Sequence, residues 1–167
     1  MAASLDDPVT EPIFTIWVVR AGPGAEFAHD FRELQMAALA SPPLHDVAGM
    51  ETSEIVDLIC AERPTPRPRA IGIAAMLHRF VVEVQVGDLV VTPTAMTSAL
   101  MLGEVTGPYQ FRREFVEAPH SRDVAWRQTI GRQHIDPSLL PKIGAPMPFF
   151  RPAAQKPLQA LFRTRIQ

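Results

Sequence analysis

Two runs between Gly87 and Phe111 restrict the architecture of this chain more than any other part of it. Gly87-Asp88 is a tight-turn pair that opens into Leu89-Val90-Val91-Thr92-Pro93, a β-branched run that Pro93 ends. After a short connection of small and polar residues comes Leu100-Met101-Leu102-Gly103-Glu104-Val105-Thr106-Gly107-Pro108-Tyr109-Gln110-Phe111, with Gly107-Pro108 as its terminator. Two paired strands are expected. Neither alternates cleanly between apolar and polar residues, so both faces should be covered, as in a small closed or nearly closed β-barrel.

The flanking sequence supplies strands and helices in alternation. Residues 1–12 are acidic and unpatterned, and read as a flexible lead-in. Strands are expected over 13–20, 36–40 and 120–127. Helices are expected over 25–34, with Phe27, Phe31 and Leu34 on one face, over 51–62, with Ile55, Leu58 and Ile59, and over 70–84, with Ala74, Leu77, Phe80 and Val84. Three prolines hold 63–69 extended as a surface loop. The strand at 120–127 places Arg122, Val124 and Trp126 on one face and Asp123, Ala125 and Arg127 on the other. Residues 135–140 read as one helical turn and 157–166 as a last helix. The pattern is α+β, with one domain over 13–152 and a C-terminal helix or linker over 153–167.

The 167 residues, 47% of them hydrophobic, suffice for a substantial core. A single cysteine, Cys60, leaves no disulfide framework and no Cys-based zinc site. The start lacks the basic and apolar regions of a signal peptide, and no run has the ~18 apolar residues of a membrane span. A cytoplasmic protein without membrane contact is expected. The net charge of −2 conceals an asymmetry: residues 1–62 carry eleven acidic residues against two arginines, whereas 63–167 carry fourteen basic residues against seven acidic ones. Nearly all of that basic charge is arginine, whose planar fork suits phosphates and base edges. An arginine-, alanine- and proline-rich composition can equally reflect a GC-rich genome.

Catalytic signals are weak. The histidines at 29, 45, 78, 120 and 134 show no metal-ligand spacing, and Cys60 lies among apolar neighbours as an inert thiol would. Gly22-Pro23-Gly24 at a helix start could present backbone N–H groups to a phosphate, but no Gly-Lys-Ser/Thr follows, which excludes a nucleotide P-loop. A binding module without catalytic residues, metal or cofactor is the expectation.

One ordered set of segments carries a more specific signal: Trp17-Val-Val-Arg20-Ala-Gly22, Gly87-Asp-Leu-Val-Val-Thr-Pro93, Gly103-Glu-Val-Thr-Gly-Pro-Tyr109, His120-Ser-Arg122-Asp-Val124-Ala-Trp126, and Ile143-Gly144 followed by Phe149-Phe150-Arg151. Together these resemble the N-terminal domain of Mrr-like and other modification-dependent (type IV) restriction endonucleases, which is similar to the EVE, YTH and PUA-like group. The resemblance implies a small, strongly bent β-barrel flanked by helices. It also implies a pocket between the first strand and the helical insert that accepts a base, often a methylated one, flipped out of its strand. No Asp followed by Glu-x-Lys occurs, so a nuclease would be a separate domain or subunit.

On that reading the base pocket draws on Trp17, Tyr109 and Trp126 for stacking, and on Ser41, His45 and Asp46 for polar edges. Arg20, Arg112, Arg113, Arg122 and Arg127 would contact the nucleic-acid backbone. Each aromatic has a structural alternative: Trp126 in an alternating strand and Trp17 between Ile and Val both suit a core, and Tyr109 suits a half-buried strand end. His45 and Asp46 also suit an ordinary loop. An RNA-binding module of the same fold, or an adaptor that docks a partner through its C-terminal helix, are the competing expectations.

Overall fold

The computed structural model describes residues 14–94 and 99–163; the expected lead-in over 1–12, together with Ile13 and Ile166, lies outside the described residues. Among the described residues the elements run β1 (Ile16–Val19), α1 (Ala28–Leu34), β2 (Met36–Leu39), α2 (Thr52–Glu62), α3 (Arg67–Val82), β3 (Leu89–Pro93), β4 (Leu100–Phe111), β5 (His120–Ile130), α4 (Leu140–Ile143), β6 (Phe149–Phe150) and α5 (Gln155–Arg163). The strands form one mixed sheet in the order β2-β5-β4-β3-β1-β6. Only β1 and β3 run parallel, with Trp17 opposite Val90; the other neighbours are antiparallel.

The class is α+β, but the expected barrel does not close. The sheet ends on β2 at one side and on the two-residue β6 at the other, β6 covering Val18 and Val19 of β1, and these end strands are not paired with each other. The sheet still curls far enough to bring β1 and β2 within 8 Å at the Cα level.

The lack of alternation in the central strands has a direct cause: the sheet is buried on both faces. Trp17 and Val19 enter one core with Phe31, Ile55, Ile59, Leu77 and Phe80 of α1, α2 and α3. Ile16 and Val18 enter the other, with Leu100, Leu102, Ile143, Leu158 and Leu161 beneath α4 and α5. Because α5 packs its apolar stripe on the sheet, with Leu158 fully buried, the helix proposed as a docking element is an integral layer of the fold.

Several boundaries shift for identifiable reasons. The first helix is shorter than expected, since Phe27 precedes it and Gln35 stops it in the left-handed region at φ 49°; Leu34 is then half exposed. In α2 the buried face is Ile55, Val56 and Ile59 rather than one including Leu58, and Glu51 and Glu54 close a reciprocal capping box at its start. Pro68 lies in the first turn of α3, where its missing N–H costs no bond, so the helix begins at Arg67. Gly107-Pro108 does not end β4: Val105 pairs with Val124 and Tyr109 with Arg122, and the residues between form a bulge that absorbs the proline. No helix among the described residues is long and apolar enough to cross a membrane.

Candidate functional site

The Gly87-Asp88 turn is an anchor for the first strand. Asp88, buried, accepts N–H bonds from Thr15 (3.2 Å), Gln85 (2.9 Å) and the Trp17 indole (2.9 Å). Trp17 is also stacked on Phe149, with centroids 5.0 Å apart. With 2% of its surface exposed, Trp17 is core and has no face available to a ligand.

The other two aromatic candidates are engaged as well. Trp126 stacks on Phe31 at 6.3 Å, and its indole N–H is shared between the carbonyls of Phe31 and Met36, both at 3.0 Å. Tyr109 bonds His120 Nδ1 at 2.7 Å, and His120 Nε2 lies 2.8 Å from the Pro43 carbonyl. A carbonyl only accepts, so Nε2 carries the proton and Nδ1 takes the tyrosine O–H. Burial pushes the His120 pKa down, against the backbone bonds at Pro43 and Ser41, and pushes Tyr109 up to about 12. This chain of bonds ties the loop after β2 to the β4–β5 ladder. Ser41 is buried and donates to the Pro42 carbonyl, while Asp46 accepts from the Ala48 N–H and His45 is exposed. The six residues expected to build one aromatic pocket are not brought together as one.

Most of the arginine cluster is likewise committed. Arg122 is buried and donates to the carbonyls of Phe80 (3.2 Å), Val81 (2.8 Å) and Gly107 (3.3 Å). It therefore satisfies the end of α3, whose last carbonyls lack helical partners. Arg112 is paired with Asp123, and Arg127 with Glu104 at 3.1 Å. Arg113 lies over the Phe111 ring, 5.9 Å from its centroid.

Arg20 differs. It follows β1, its backbone N–H bonds the Pro148 carbonyl at 2.8 Å, and its Nη1 donates to the Ala145 carbonyl at 3.0 Å. The first bond fixes the main chain and the second orients the guanidinium, and no carboxylate among the described residues pairs with it. It borders a hollow of about 440 Å³ lined by Gly22, Pro23, Ala40, Pro146 and Pro148. Gly22 is required here: at φ +74° it takes a conformation that disfavours side chains, and a Cβ would meet the Phe27 ring at 2.6 Å. The hollow thus lies where the first strand ends, beside the turn into the helical segment, but its walls are proline rings and small side chains rather than Trp17, Tyr109 or Trp126.

A family model described as a domain of unknown function (DUF8426) matches residues 26–142, more than two-thirds of the chain. The chain belongs to the DUF8426 family. No curated protein matches it. The DUF8426 match spans α1 through most of α4 and includes Ala40, whereas Arg20, Gly22, Pro146 and Pro148 lie beyond its ends.

Arg132 escaped the sequence reading. It begins a short 3-10 turn after Gly131, and it lines a second hollow of about 280 Å³ that also has Arg20 on its wall. The available signal was Ile130-Gly131, a β-branched residue and a glycine marking a strand end three residues beyond the expected one. Among the described residues no group of three His, Cys, Asp or Glu side chains is placed to hold a metal ion.

Proposed function

We propose that this DUF8426 chain is a DNA-binding specificity module that takes a modified base, turned out of its strand, into the Arg20 hollow. The observation that carries the reading is the hollow itself: a fixed guanidinium, without a carboxylate partner among the described residues, at the edge of an otherwise apolar space. Its volume of about 440 Å³ falls within the ~300–1,000 Å³ of ordinary ligand pockets. Proline rings have little rotamer freedom to lose when they close on a flat ring. A guanidinium fork suits a pair of acceptors on a base edge, and a methyl group, which forms no hydrogen bond, would be read by contact with Pro146, Pro148 or Ala40.

The resemblance to the N-terminal domains of modification-dependent endonucleases supports a place in a restriction or defence system, with the cut supplied by another domain or subunit. The arginine-rich composition of residues 63–167 adds weak independent support for a polyanion partner, since a GC-rich genome gives the same composition.

The test is anisotropy titration of paired duplexes that differ only in methyl or hydroxymethyl groups, with a matched RNA arm, at fixed salt. Tighter binding of the modified DNA, lost in Arg20→Ala, is expected. Binding that is strongly salt-dependent but blind to modification would reduce the protein to a backbone binder, and preference for the RNA arm would redirect the reading to RNA.

A further inference from the structure

Arg20 stands on the wall between two hollows, and the second differs from the first in charge. Its lining includes two arginines, Arg20 and Arg132, beside apolar residues Leu100, Leu140 and Ile143. No acidic side chain among the described residues lines it, and none pairs with Arg132 within 4 Å. Asp136, the acid nearest to Arg132 in sequence, caps its own turn by accepting from the Ser138 N–H at 2.9 Å. Two cations bordering one space with no acid among its lining favour an anionic guest over a neutral one. A tetrahedral oxyanion offers acceptor oxygens to both guanidinium groups at once. A neutral ring has no charge with which to balance the two cations.

We propose that the hollow shared by Arg20 and Arg132 is a phosphate subsite, and that it holds the phosphate of the nucleotide whose base enters the neighbouring hollow. The phosphate chemistry stands on the two arginines alone; the identity of its carrier rests on the base-binding reading above. Arg20 then has two tasks, one on the base edge and one on the phosphate, and Arg132 has only the second.

The test uses the full chain, observed by amide NMR. Inorganic phosphate, against chloride at equal ionic strength, should shift the amides of Arg132 and Gly144, and Arg132→Gln should weaken that binding about tenfold or more. Arg132 is exposed, so the variant should melt as the parent does. A nucleoside 5′-monophosphate should bind about tenfold or more tightly than its nucleoside, and Arg132→Gln should remove the difference. Phosphate binding with no nucleoside binding supports the subsite while removing the base reading. Nucleoside binding that phosphate leaves unimproved overturns the subsite and leaves the base reading intact. Absence of phosphate shifts up to tens of millimolar, or equal affinity in Arg132→Gln, overturns the proposal.

Discussion

Trp17 donates its indole N–H to the Oδ2 of Asp88 at 2.9 Å, joining residues seventy-one positions apart at the seam where the parallel strands β1 and β3 meet. Asp88 also takes the N–H groups of Thr15 and Gln85, so one carboxylate holds the start of β1, the end of the helical segment and an aromatic of the core. Asp88→Ala leaves three donors short of a partner, and a loss of about 2–4 kcal/mol in urea denaturation is expected. Asp88→Asn keeps the shape and one acceptor, and should cost less. An Asp88→Ala variant as stable as the parent would contradict this account of the turn.

Tyr109 is the only tyrosine in the chain, so phenolate absorbance reports on it alone. Its folded pKa of about 12 lies above the ordinary 10.0 because the hydroxyl is buried. The stability linked to it is complete below pH 10 and is lost as pH rises toward 12. The native protein should therefore titrate near 12 and the denatured chain near 10; a native midpoint near 10 would mean the hydroxyl is in water.

His120 shifts the opposite way for a base: burial disfavours the imidazolium. Its contribution is complete above the unfolded pKa of about 6.5 and is lost as pH falls below that toward the lower folded value. The parent's melting temperature should fall between pH 7 and 5 more steeply than that of His120→Gln. Identical slopes would show that His120 does not carry the effect.

Gly103 lies under two side chains, and a Cβ there would meet Val124 Cγ1 at 2.5 Å and Trp126 Cε3 at 2.8 Å. Gly103→Ala should destabilise the protein by about 1–3 kcal/mol and shift the Trp126 emission, because the ring must move from Phe31. An unchanged midpoint and spectrum would show that the β4–β5 ladder yields freely at this bulge.

What could be read from the sequence were the parts governed by local pattern. Gly87-Asp88 and Pro93 bracket β3 closely, and the non-alternating Leu100–Leu102 run matches a sheet with a core on either side. Barrel closure depends on which strands meet at the ends of the sheet, and two residues such as Phe149-Phe150, though visible as a segment, carry too little pattern to reveal which strand they pair with. The same limit applies to the site. Trp17 and Trp126 are aromatic in any alignment of letters, but only the fold shows them engaged with Asp88 and with the carbonyls of Phe31 and Met36. Arg122 and Arg20 read alike in sequence; one caps α3 and the other borders an open hollow. Proline walls contributed by residues more than a hundred positions from Arg20 could not be assembled from spacing.

The central claim is that a base leaves its stack to enter the Arg20 hollow, and the most direct measurement is 2-aminopurine fluorescence from a duplex carrying that probe beside the modified base. Protein addition should raise the emission as the neighbour is extruded. The exposed Ala40 on the hollow's wall supplies the control, because Ala40→Phe fills the space and should abolish the rise while retaining salt-sensitive binding. A rise undiminished in Ala40→Phe, or binding by the parent with no rise at all, would contradict the account.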